Sequence, residues 1–182
     1  MFGFGKKKTL DIELMYKQVA NSVVNVFVND KALDFQKFIR ISPFSYAAAR
    51  GGDQMVERFF REKLVLLCAF SVIVIDKTVG GDDIVARLLE ATEQVVREQK
   101  VDQIDYHFDK MPLDVQNCIT SRISLSAKEA GKMLEQNFAR NVFGVLVDEG
   151  DIDANYLLYT SLVNIERSMI FNASAAIKRS RV

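Results

Sequence analysis

From Leu64 to Ile75 the chain is apolar at every position but Ser71, and the run lies between Glu62-Lys63 and Asp76-Lys77. As a helix it spans roughly 18 Å at about 1.5 Å per residue, well short of a bilayer core of about 30 Å. As one strand it would reach roughly 40 Å, about twice the usual length. The preceding residues settle the period. Met55, Val56, Phe59, Phe60, Lys63, Leu64 and Leu67 follow the i, i+3, i+4 spacing of a helix. Asp53, after Gly51-Gly52, can cap it. The pattern predicts one helix over about 53–77, two-sided at its start and buried all round later.

Other segments repeat this period. Ile12, Tyr16, Val19, Val23 and Phe27 share one face of a first helix, capped by Thr9. A helix over Lys31–Ile41 follows, stopped by Ser42-Pro43. Ser42 and Pro43 then read as N-cap and first residue of a short helix through Arg50. Asp82 or Asp83 opens a helix striped by Ile84, Val85, Leu88, Leu89, Thr92, Val95 and Val96. A turn or two of helix is read over 101–110, and Pro112 starts another helix to about Ile123. Ser126 and Glu129 have capping-box spacing ahead of a helix that Gly150 stops. Asp151 or Asp153 caps the last, whose inner face carries Leu158, Leu162, Ile165, Met169, Ala173 and Ala176. The fold class is all-α: a single-domain bundle of about eight or nine helices around the central buried one. The segment Gly51–Phe60 resembles Gly80–Leu89 at an offset of 29 residues, but no third copy follows. Two helix starts explain the likeness better than a solenoid.

Composition narrows the function classes. The chain has 182 residues, 49% of them apolar, with 24 basic and 24 acidic residues. Six cations sit at the ends: Lys6, Lys7 and Lys8, then Lys178, Arg179 and Arg181. Removing those six from the 24 leaves 18 basic against 24 acidic residues. An acidic body argues against a nucleic-acid partner, which needs a basic face. The ends read as a flexible basic tail over 1–8 and a basic C-terminal tail over 178–182, bracketing a single helical domain over 9–177. The start lacks an apolar secretory segment and the glycine that myristoylation needs, so a cytoplasmic location is expected. Cys68 and Cys118 lack metal-ligand spacing, and no disulfide framework is expected.

Candidate chemistry is sparse. Asp151, Asp153 and Asn155 match the first positions of an EF-hand loop, but Tyr156 stands where the turn glycine belongs and Leu162 where the closing Glu belongs. His107 is the only histidine, flanked by Asp102, Asp105 and Asp109, without the Glu-x-x-His or Gly-x-Ser-x-Gly settings of di-iron or hydrolase sites. No phosphate-binding glycine motif is present. No catalytic residue, metal site or cofactor is therefore assigned.

The reading that remains is a non-catalytic protein-binding domain with an adaptor, chaperone-like or regulatory role. The 13 Phe residues cluster near helix starts, so Phe35, Phe38, Phe59 and Phe60 are expected to line an apolar groove or a dimer interface. The alternative is a small-molecule binder or enzyme with a cavity between helices. Its polar groups would be Tyr106 and His107, or Asn137 and Asn141, which lie one helical turn apart. A third possibility is a peripheral membrane protein, anchored by Phe2 and Phe4 beside Lys6, Lys7 and Lys8.

Overall fold

The computed structural model describes residues 9–101, 115–125 and 131–182. Among them are seven helices: α1 (Ile12–Asn29), α2 (Phe35–Phe38), α3 (Phe44–Asp76), α4 (Ile84–Gln99), α5 (Val115–Leu125), α6 (Gly131–Phe143) and α7 (Ile152–Arg179). The class is all-α, and the described residues hold seven helices where eight or nine were expected of the whole chain. Phe2, Phe4, Lys6, Lys7, Lys8, Tyr106 and His107 lie outside the described residues. So do the turn expected over 102–110 and the Ser126–Glu129 capping box.

The apolar run sits in the second half of α3, and α3 packs on every other described helix. Leu64 through Val72 are buried without interruption. The closure then opens on one side: Ile73 and Val74 are half-buried. Ser71 tolerates this setting because its hydroxyl donates to the Leu67 carbonyl at 2.7 Å. Burial pushes the Cys68 thiol up to about 12, so it is an inert core residue.

Several boundaries differ from the sequence expectation, each for a local reason. Asp11, not Thr9, caps α1, its carboxylate accepting the Leu14 N–H at 3.0 Å. Thr9 is engaged elsewhere, as described below. The helix expected over Lys31–Ile41 shrinks to α2. Asp30 accepts the Ala32 N–H at 2.6 Å and Asp34 accepts the Gln36 N–H at 3.0 Å. These short side-chain bonds hold turns where a helix would need its own ladder. Pro43 takes the N-cap position of α3 instead of Ser42. Gly52, at φ 52° and ψ −147°, breaks α3 where a new helix was expected, so the axis kinks there. α6 stops at Gly144 rather than Gly150, because Gly144 adopts φ 68° and its N–H bonds the Arg140 carbonyl at 2.9 Å.

The C-terminal five residues are not a free tail. α7 runs to Arg179, and Ser180 is fully buried. Thr9 and Val182 exchange backbone hydrogen bonds of 2.9 and 3.0 Å, and the Asp11 N–H reaches the Ser180 carbonyl at 3.0 Å. This two-residue antiparallel bridge ties the last helix to the first.

Lys63 locks the other end of α1. Its ammonium is buried in the core wall and donates to the Phe27 and Asp30 carbonyls, both at 3.0 Å. Those are terminal carbonyls of α1, where a cation also meets the negative end of the helix dipole. The Phe27 ring lies 5.3 Å from the charge. Burial lowers the Lys63 pKa, with Asp30 and Asp34 opposing.

Lys63→Met is expected to cost about 1–3 kcal/mol, because two shielded carbonyls lose their donor. Between the lowered folded value and the ordinary 10.5, the unfolded chain binds more protons than the folded one, so this group adds stability as pH rises through that window. The gap between wild type and variant should widen accordingly. Urea unfolding at about pH 7 and about pH 10 reads both effects; equal stability at both would remove the cap.

Candidate functional site

The four Phe residues expected at a binding surface belong to the core. Phe38 and Phe59 are fully buried, and Phe35 and Phe60 are half-buried at its edge. Phe38 stands among Phe44, Phe59, Phe138 and Phe143 at centroid distances of 5.4 to 5.7 Å. Phe35 stacks on Phe143 at 6.2 Å and meets Phe59 edge-on at 5.4 Å. Phe60 reaches Phe27 at 5.9 Å. The rings bind α1, α2, α3 and α6 to one another, and edge-to-face pairs of this kind add to simple burial. The expected Phe-lined groove is corrected: these rings face each other because the short α2 folds back over the first half of α3.

Asn137 and Asn141 do meet a site. Asn141 donates to Asn137 at 3.0 Å and to the Glu62 carboxylate at 3.3 Å. Glu62 also receives Arg122 through two nitrogens, Nε to Oε1 and Nη2 to Oε2, the latter at 3.0 Å. The Glu62 and Arg122 side chains are only 8% and 6% exposed. The pair ties α3 to α5, and Asn141 adds α6. A recess of about 280 Å³ opens beside it, walled by Arg58, Arg61, Arg122 and Cys118. Neither Glu62 nor Arg122 was singled out in the sequence. The available signal was two adjacent charges, Glu62-Lys63, inside an unbroken helical phase leading into the apolar run.

A second feature is the outer face of α7. Ile152, Tyr156, Tyr159, Val163, Glu166 and Ile170 alternate in steps of four and three, the a/d spacing of a coiled coil. The core-facing residues of the same helix, Leu158, Leu162, Ile165 and Met169, fall on another side. The outer stripe is exposed at its ends and at Tyr159, with Val163 and Glu166 half-buried. Ile152 is 75% exposed, Tyr156 69%, Tyr159 55% and Ile170 38%, with Phe171 beside them at 74%. At its C-terminal end the stripe meets a groove of about 650 Å³ whose apolar lining includes Ile73, Val85 and Ile123. Burial raises the Glu166 pKa, with Arg167 and Lys77 opposing.

The acidic turn before α7 is structural. Asp151 stands at the N-cap and accepts the Asp148 N–H at 3.2 Å, while Asn155 donates to the Asp148 carbonyl at 2.7 Å. No group of three metal-ligating side chains occurs among the described residues. None of the helices among the described residues is long and apolar enough to cross a membrane. Comparison with known protein families, curated proteins and solved structures finds no match to the chain.

Arg122→Met would leave the buried Glu62 charge without its partner and should cost about 3–5 kcal/mol. Adding Glu62→Leu should recover most of that loss, since the stranded charge goes too. Denaturant unfolding of both variants decides the matter; equal instability would show that the two side chains are not coupled.

Proposed function

We propose that the chain is a non-catalytic, protein-binding helical module that works through the outer face of α7, with a second copy of the chain as occupant. The largely exposed a/d stripe on α7 carries this reading. A monomer rarely leaves contiguous apolar surface of this kind without a use for it. The stripe is also complementary to itself when run antiparallel. A register that sets Tyr159 opposite Val163 of a second copy sets Ile152 opposite Ile170 and Tyr156 opposite Glu166. Tyr156 then offers a hydroxyl donor to a carboxylate that burial already makes reluctant to ionise. On the flank, Asp153 comes near Arg167, and neither has an ion-pair partner among the described residues. Such a two-fold arrangement makes each contact twice. One helix on one helix is a small interface, below about 1,200 Å², so the dimer should be a reversible one.

Sedimentation velocity across a concentration series tests this. The wild type is expected to pass from monomer to dimer, and Tyr159→Glu to stay monomeric. Glu166→Leu should tighten the dimer by roughly tenfold, since an apolar side chain replaces a charge in the seam. A wild type that stays monomeric throughout, or a dimer indifferent to Tyr159→Glu, overturns the proposal.

One observation favours a membrane-surface role as a second reading. The Thr9–Val182 pairing brings the start of the domain against Lys178, Arg179 and Arg181. Lys6, Lys7 and Lys8 precede Thr9 directly in the chain. Clustered Lys and Arg are attracted to anionic lipid by about 1 kcal/mol each. Co-sedimentation with phosphatidylserine vesicles is expected to be lost when residues 1–8 are deleted. Binding that survives the deletion counts against this reading.

A further inference from the structure

The recess beside the Glu62–Arg122 pair is lined by donors without matching acceptors. Both Glu62 oxygens are already occupied, one by Arg122 Nε and the other by Arg122 Nη2 and Asn141. Arg122 has five N–H groups, and two of its nitrogens serve Glu62. Among the described residues its Nη1 has no partner. Yet no fully buried side-chain nitrogen or oxygen among the described residues is left unsatisfied. Nη1 is therefore not fully sealed, and Arg122 is one of the residues that wall the recess.

Arg58 and Arg61 stand over the same recess, one helical turn apart on α3. Neither makes a hydrogen bond or ion pair among the described residues. Like charges at this spacing repel each other. Arg87, Arg97, Arg122, Lys17 and Lys132, by contrast, all have carboxylate partners. The wall thus holds three guanidinium groups against one carboxylate. Its surplus of two positive charges matches a phosphate dianion better than a carboxylate, and planar guanidinium groups suit phosphate oxygens geometrically. A recess of about 280 Å³ accepts a phosphate group with a small substituent.

We propose that this recess, built by α3, α5 and α6, binds a phosphate group, with Arg58, Arg61 and the free Nη1 edge of Arg122 as its donors. Glu62 and Asn141 act as positioning residues that hold Arg122 in place. The site uses no residue of α7 and stands independently of the dimer. Isothermal titration with inorganic phosphate and with glycerol 3-phosphate, at constant ionic strength, tests it. Saturable binding is expected, at least tenfold tighter than for acetate. Arg58→Gln and Arg61→Gln, both away from the sealed core, should each weaken it by at least tenfold while circular dichroism stays unchanged. Equal affinity for both probes would mark free phosphate as the ligand class. Tighter binding of the ester would mark a phosphorylated small molecule. No saturable binding of either probe, or binding unchanged in both variants, overturns the proposal.

Discussion

Two opposite charges are buried at consecutive positions of the central helix, and the arrangement of its neighbours follows from how each is satisfied. Glu62 and Lys63 point about 100° apart around α3, so they address different partners. Lys63 takes the terminal carbonyls of α1, and Glu62 takes the Arg122 guanidinium on α5. A buried charge tolerates very few geometries, because a misplaced partner leaves a desolvation cost of several kcal/mol. Aromatic and aliphatic packing alone would allow α1 and α5 to slide along α3. The charges fix the level at which each helix crosses it. Above that level the apolar run is sealed from Leu64 to Val72; below it the Phe rings of α2, α3 and α6 close the other half.

The helical class and the place of the central helix were legible in the sequence because a sealed apolar run leaves so few choices. Gly52 and Asp83 were legible as boundaries for the same reason: backbone conformation and capping are local. What escaped was set by tertiary partners. The Phe residues read as surface because they cluster near helix starts and not all of them can share one buried face. The fold hides them by turning α2 into a four-residue plug, a choice made by Asp30 and Asp34 side chains. The C-terminal residues read as a tail because a ladder between positions 9 and 182 has no local signature. Lys63 did carry a signal. It stood on the apolar stripe of its own helix, where a charge must have a partner to survive.

The site chemistry was less legible than the fold. Asn137 and Asn141 were recognised as a pair by spacing, but not what they serve. Their acceptor, Glu62, is 79 residues from Asn141. The stripe on α7 was within reach of the sequence. Ile152, Tyr156, Tyr159 and Ile170 keep their own four-three spacing beside the core face. A helix with two apolar stripes has only one core to face, and the second stripe is the informative one.

The bridge between Thr9 and Val182 gives the domain the topology of a ring cut at one point. The severed ends are already held at hydrogen-bonding distance, so a short linker across them would add little closure entropy. The cut could then be moved. The turn carrying Gly80 and Gly81 is exposed, and both glycines have positive φ. A chain opened there would begin with α4 and finish with α3, keeping every helix whole. The order of the helices along the chain is therefore incidental to the architecture, whose identity lies in what surrounds α3.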